Sequence, residues 1–270
     1  MPELPEVETT KRGIERHVTE ATVLGVIAHS PKLRWPIPQN LAELLVGQRI
    51  ESISRRAKYL LLNTAKGCLI IHLGMSGSLR IAPPNSQAKA HDRFELILSS
   101  GILRLRDPRK FGAVLWTEEP IEQHRLIAPL GPEPFAAECN ADYLFQRSRG
   151  RNGSIKEFIM NSHIVVGVGN IYAAESLFAA GIHPKRAAGR VSKKRYAILI
   201  EHIQHILKKA IAQGGTSLRD FVNEEGKPGY FSQELKVYGR AGEACVNCQS
   251  ILLNLRISQR SSAYCPTCQH

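Results

Sequence analysis

Four cysteines near the end of the 270-residue chain, Cys245, Cys248, Cys265 and Cys268, form two C-x2-C pairs separated by 16 residues. Each pair offers two thiolates from one tight turn, and the stretch between them has the length of a hairpin. Four thiolates close a tetrahedral shell around zinc and leave no position open, so such an ion holds structure rather than doing chemistry. So small a ribbon does not fold without its metal. A redox dithiol or an iron–sulfur ligand set fits the spacing less well. Cys68 and Cys139 stand far apart and read as free thiols. At the other end, Pro2 follows the initiator Met. A small residue in second position permits Met removal, which would expose a secondary amine. An α-amine titrates near about 7.7–8.0, so part of it is neutral at neutral pH and can attack a sugar carbon to form an iminium. Many chains begin Met-Pro, and alone this residue says little.

These groups need elements to carry them. Val7, Thr10, Ile14 and Val18 recur at a helical period, with Glu6 and Glu8 in the first turn, where acids complement the helix dipole. From about residue 22 to 116 the pattern changes to short strands: TVLGVIAHS, RIESISRRAKYLLLN, CLIIHL and SLRIA. FELIL and ILRLR flank Ser99-Ser100-Gly101 and predict a hairpin. GPEP and the basic, Gly-rich RSRGRNG mark a break around residues 131–153. Helices follow. Ser154 is placed to cap IKEFIMN, and Asn170 to cap a helix that Gly181 closes. Ser192 opens a long helix with Leu199, Ile203, Leu207 and Ile211 on one face, ended by Gly214-Gly215. Residues 216–235 read as a long, functional loop. The expected class is α+β: an N-terminal β-sandwich with flanking helices over 1–132, a linker over 133–153, a helical domain with its loop over 154–235, and a cysteine module over 236–270.

The chain carries 36 lysines and arginines against 24 acids, for a net charge of +12 and a pI of about 9.6. The excess sits late: residues 141–270 hold 18 basic against 9 acidic side chains. Such a balance suggests a polyanionic partner, nucleic acid first. No apolar run approaches the roughly 20 residues of a membrane span, and no signal peptide is recognisable. A soluble, cytoplasmic protein is expected. VVGVGN contains a GxG before a helix, but the third Gly of a dinucleotide fingerprint is missing. It reads better as a phosphate site at a helix N-terminus. Arg256 and Arg260, on the hairpin between the cysteine pairs, could present charge to phosphate.

MPELPEVET, RRAKYLLL, HLGMSGSLR, DPRKFGAVLW, VVGVGNIYAAESLF, GGTSLRDF, GKPGYF, VYGR and QRSSAYCPTCQ together resemble the bacterial formamidopyrimidine-DNA glycosylases, in that family's order and from residue 1 to the C-terminus. Leu4 resembles this branch; the related endonuclease VIII branch, which favours oxidised pyrimidines, has Gly there. The resemblance implies a β-sandwich followed by a helix–two-turn–helix domain with a zinc finger. It implies a bifunctional enzyme that removes 8-oxoguanine and ring-opened purines from duplex DNA and cuts the strand by β,δ-elimination.

Roles follow by the same resemblance. Pro2 would be the nucleophile on C1′, Glu3 the proton donor, and Glu6 a positioning acid near the amine. Lys58 would contact phosphate and serve β-elimination, and Arg260 would assist δ-elimination from the finger. Taken alone, Glu3 reads as a helix-entry acid and Lys58 as a solvated strand lysine. Met75, Arg109 and Phe111 resemble the wedge that fills the gap left by an everted nucleotide, a step that costs a few kcal/mol in unstacking and unpairing. Arg109 would pair with the orphaned base, cytosine by preference. His72, His91, Arg151, Asn170 and Tyr238 fall at positions that resemble DNA contacts, and the loop near 216–230 at the segment that covers the everted purine. One structural zinc and a monomer acting on nucleoid DNA are implied. The chain departs from the family pattern at Asn161, usually Asp; at Gln249, where Gly is typical; at Ala263, usually aromatic; and in HDRFELIL.

Overall fold

A computed structural model describes residues 2–216 and 231–270. It divides into two compact units. Met1–Ala128 and Gln213–Ser232 make the first; Pro129–Ala212 and Gln233–His270 make the second. The expected covering loop falls mostly at 217–230 and so lies outside the described residues.

The first unit opens with α1 (Leu4–Val18). Val7, Thr10, Ile14 and Val18 are all buried, as their spacing predicts. Each buried aliphatic contributes about 1.5–3 kcal/mol to holding the helix down. Then come β1 (Val23–Ala28), the short α2 (Leu41–Leu45), β2 (Ser52–Arg56), β3 (Tyr59–Thr64), β4 (Gly67–His72), β5 (Ser78–Ala82), β6 (Asp92–Leu98), β7 (Gly101–Arg106) and β8 (Ala113–Thr117). They form two antiparallel sheets, ordered β1-β6-β7-β5 and β2-β3-β4-β8. One core joins them: Leu60, Leu62, Leu69 and Ile71 from one sheet, Leu79, Phe94, Leu96, Leu103 and Leu105 from the other, and Ile14 and Val18 from α1. The β6–β7 hairpin pairs Leu98 with Gly101, as expected.

One expectation changes here. RIESISRRAKYLLLN is two strands, not one. It reverses at Ala57, which takes a left-handed φ of +54°, so Lys58 sits in a tight turn rather than along a strand. An alanine there carries no turn signal, because non-glycine residues rarely enter that region.

The second unit holds α3 (Ala141–Ser148), α4 (Ile155–Met160), α5 (Asn170–Ala179), α6 (Lys193–Ala212), and the hairpin β9 (Leu253–Ile257) and β10 (Arg260–Tyr264). α3 lies within the stretch expected to be linker. Ser154 caps α4 through a capping box with Glu157. Gly181 follows α5 at φ +64°, and Gly214 and Gly215 follow α6 with positive φ. Gly169, not Asn170, is the N-cap of α5. The chain there is already extended at the glycine, so Asn170 enters the first helical turn and its side chain is released from capping. The finger packs on α5, with Ala174, Phe178, Val237, Cys245, Leu252 and Cys265 in one cluster. Among the described residues no helix is long and apolar enough to cross a membrane.

Candidate functional site

Pro2 and Glu3 are both buried at the start of α1. Glu3 is the N-cap, and its amide donates to Glu6 Oε2 at 2.7 Å. Glu6 Oε1 accepts from the Thr216 amide at 2.8 Å. Both oxygens of a carboxyl only 2 % exposed are thus engaged by backbone amides. The helix-entry position of Glu3 and its proximity to Pro2 are the same fact. A cap residue must leave the helix, so its side chain lies beside whatever precedes the first turn.

Lys58 is tied to this helix indirectly. Arg55 in β2 donates from Nε to Glu8 in α1 at 2.9 Å, and from Nη1 to the Ala57 carbonyl at 2.9 Å. One guanidinium therefore joins the helix that carries Glu3 to the turn that carries Lys58. The positive charges of Lys58 and Arg34 bear on His72 at the end of β4. There burial first, then those charges, push the imidazole down to about 4. His72 is neutral at pH 7. Its Nδ1 accepts from the Gly74 amide at 3.0 Å, so the proton resides on Nε2 and that atom is a donor. Its ring also lies 4.9 Å from that of Tyr59.

Met75, Arg109 and Phe111 sit on two loops that leave adjacent strand ends, since His72 of β4 pairs with Ala113 of β8. Met75 and Phe111 are 39 % and 44 % exposed, which excludes the core role that apolar residues normally take. The Arg109 guanidinium lies 4.9 Å from the centre of the Phe111 ring. His91 is exposed, takes a φ of +74°, and meets Arg93 Nη2 through Nδ1 at 3.1 Å.

In the second unit Arg151 is exposed. It donates from Nε to the Arg147 carbonyl at 2.7 Å, and its guanidinium lies over the Phe158 ring. It lines a cavity of about 280 Å³ with Asn152, Ser154, Glu157 and Asn161. Arg260 lines another of about 220 Å³ with Lys156, Glu157, Met160, Asn161 and Ser258. It opens β10 after a turn in which Ser258 and Gln259 both have positive φ. Asn170 Nδ2 approaches the Ser261 carbonyl at 3.4 Å, while its buried Oδ1 has no partner among the described residues. Tyr238 is half-buried, and its amide donates to Glu175 at 2.8 Å.

The four cysteine Sγ atoms lie within 4.8 Å of one another. Backbone amides of Asn247 and Cys268 approach the Sγ atoms of Cys245 and Cys265 at 3.4 and 3.3 Å. Such amides stabilise thiolates, so the donor set fits one soft, tetrahedral cation. Gln249, just after the first pair, has a φ of +64°, which explains why Gly is usual there.

Two residues escaped the sequence reading. Glu175, 4 % exposed on α5, accepts the amides of Lys236, Val237 and Tyr238 and so anchors the start of the finger. Asp107, fully buried, accepts the amides of Arg109 and Gly112. For Glu175 the signal was present: an acid amid the apolar run of α5 must find donors. The donors themselves were not visible.

Comparison with known proteins bears on the whole chain. Residues 1–114 match the formamidopyrimidine-DNA glycosylase N-terminal domain and residues 130–222 the H2TH domain of the same family. The formamidopyrimidine-DNA glycosylases of Thioalkalivibrio sulfidiphilus and Syntrophotalea carbinolica are each 57% identical over 270 residues, covering all of both chains. Among solved structures, a Lactococcus lactis Fpg mutant in complex with Fapy-dG containing DNA superposes with a TM-score of 0.91 at 32% identity over the full length of both chains. The MutM (Fpg) protein from Thermus thermophilus gives 0.89 at 32% identity, covering 99% of this chain and 98% of its own. Motifs, fold and full-length identity agree, and the chain belongs to the formamidopyrimidine-DNA glycosylase family.

Proposed function

We propose the following residue-level account of how this family member works. The enzyme is a bifunctional DNA glycosylase and abasic-site lyase that excises oxidised purines in base-excision repair. With Met1 removed, the Pro2 nitrogen attacks C1′ of an everted nucleotide, and the bond from C1′ to the base breaks. The base leaves with a proton, and Glu3 protonates the sugar ring oxygen so that the ring opens to an iminium on Pro2. Loss of a C2′ proton then expels the 3′ phosphate, with Lys58 assisting. A second elimination, assisted by Arg260, expels the 5′ phosphate and leaves a one-nucleotide gap with phosphates at both ends.

The observation that carries this reading is the enclosed start of α1, where Pro2 and Glu3 are buried together and Glu6 is held by two amides. Met75 and Phe111 fill the space left by eversion, and Arg109 donates to the orphaned base, cytosine by preference. His72, His91, Arg151, Asn170 and Tyr238 hold the phosphates on either side, His72 as a neutral donor. Cys245, Cys248, Cys265 and Cys268 hold one zinc ion, which when bound supplies the finger's shape and takes no part in the reaction. The protein acts as a monomer on nucleoid DNA in the cytoplasm.

Borohydride reduction in the presence of an 8-oxoguanine:cytosine duplex tests the account. A covalent adduct is expected for the wild-type chain, and none for Pro2→Gly. An adduct that survives Pro2→Gly would remove Pro2 as nucleophile. Faster cleavage of a thymine-glycol duplex than of the 8-oxoguanine duplex would reassign the lesion class.

A further inference from the structure

Asp107 is a fully buried acid, yet it touches no expected reaction centre. Its side chain is 0 % exposed. Oδ1 accepts from the Arg109 amide at 3.2 Å and Oδ2 from the Gly112 amide at 2.7 Å. Its own amide donates to the His91 carbonyl at 2.9 Å. Its carbonyl accepts from Arg93 Nε at 3.0 Å, and Arg93 Nη2 in turn meets His91 Nδ1. A simple Asx turn would satisfy one oxygen with one nearby amide. Here every polar atom of the residue is used, and the partners bracket Arg109 and Phe111 on one side and His91 on the other.

The second wedge loop is locked to the first by backbone contact. A Cβ on Gly74 would lie 2.4 Å from the Phe111 carbonyl carbon and 2.5 Å from the Gly112 nitrogen. A Cβ on Gly112 would lie 2.7 Å from the His72 carbonyl oxygen and 3.0 Å from Asp107 Oδ2. Neither gap admits even a methyl group. The Met75 loop therefore rests directly on the segment whose shape Asp107 sets. The Gly112 carbonyl also accepts from the Arg34 amide at 3.0 Å, which closes the far side.

From this geometry we infer that Asp107 is the positioning residue of the wedge: it holds Arg109, Phe111 and, through Gly112 and Gly74, Met75 as one preformed body, and couples that body to His91. The inference rests on the wedge role given above to Met75, Arg109 and Phe111. Its consequence is specific. An insert held in place before DNA arrives loses little freedom on entering the stack, so eversion is driven by a rigid wedge rather than by two mobile loops. Asp107 should matter where a base must be displaced and an orphan read. It should not matter for the steps on Pro2.

The test compares two substrates. One is a duplex with 8-oxoguanine opposite cytosine or adenine; the other is a single strand with a preformed abasic site, where nothing must be everted and no gap filled. In Asp107→Asn the new amide nitrogen faces a backbone N–H, so one of the two loop bonds is lost. Excision from the duplex should fall at least about tenfold, as for a misplaced positioning group. The preference for cytosine over adenine should shrink. Cleavage and borohydride trapping on the single strand should stay at wild-type rates. Asp107→Ser keeps a side-chain acceptor for the nearby Arg109 amide and releases the Gly112 amide, and should give the same split in milder form. It serves as the second variant should Asp107→Asn not fold. Equal loss on both substrates, or no loss on either, would overturn the role of Asp107 while leaving the enzyme reading intact. Failure of the wild-type chain itself on both substrates would instead overturn that reading.

Discussion

The Glu6 carboxyl accepts the amide of Thr216, 210 positions away in sequence, at 2.8 Å, while its other oxygen accepts the amide of Glu3 at 2.7 Å. One buried acid therefore holds both Glu3, the proposed proton donor, and Thr216, where the expected covering segment begins. Glu6→Gln keeps the volume but turns one acceptor into a donor that faces an N–H. A buried bond lost in this way costs about 1–3 kcal/mol. Excision of 8-oxoguanine should slow about tenfold or more in single-turnover assays. Unchanged excision would show that the link between Glu3 and Thr216 is idle.

The Glu8–Arg55 pair is expected to matter through Lys58. Both side chains are largely shielded, at 16 % and 11 % exposure, and Arg55 also holds the Ala57 carbonyl. Glu8→Gln removes the charge that orients the guanidinium, at a cost of about 2 kcal/mol for a charge-assisted bond. Thermal unfolding would report that loss. Strand cleavage should fall more than base release, because the turn that moves carries the residue assigned to elimination. Equal effects on both would contradict this.

Acid should destabilise the protein through His72. The folded imidazole titrates at about 4, against 6.5 for an ordinary one. Between those values the unfolded chain binds a proton that the folded chain refuses, so stability falls as pH drops through this window and is level above it. Burial lowers His124, His183 and His202 in the same direction. Denaturant midpoints at pH 7.5 and 5 should separate for the wild type. The separation should shrink in His72→Phe.

Metal content can be counted directly. One zinc per chain should be released on thiol modification, and Cys248→Ser should lower it. Loss of the metal should unfold the β9–β10 hairpin, since structural zinc supplies about 10–16 kcal/mol in such modules. Duplex binding should weaken with it. Full duplex affinity after complete metal removal would separate the finger from DNA binding.

Gln249 offers a gain in stability. Its left-handed backbone costs roughly 1–2 kcal/mol in a non-glycine residue. Gln249→Gly should raise the unfolding free energy by about 0.5–1 kcal/mol, and the midpoint with it, once the added freedom of the unfolded glycine is deducted. A lower midpoint would mean that the Gln249 side chain contributes more than its strain costs.

Much of the protein was legible in its residues. The period of Val7, Ile14 and Val18, the alternation across Ser99-Ser100-Gly101, and the Ser154 cap all rest on interactions within a few positions, and each emerged as read. The cysteine cluster followed from spacing for the same reason. Long motifs in a family's order then pointed to the proposed wedge and nucleophile. Other features depend on partners that no local pattern carries. The Ala57 turn is fastened to α1 by Arg55, which reaches Glu8, 47 positions away. Asn170 is freed from capping because Gly169 takes the cap. Glu175 looks like an ordinary acid until burial obliges it to find donors, and those donors are the amides of Lys236, Val237 and Tyr238, which the fold brings in from far along the chain. Sequence by itself determined most of the elements, the cysteine cluster and the family. Tertiary structure decided which buried charges hold the site together, because an enclosed carboxyl takes its partners from whatever chain the core draws past it.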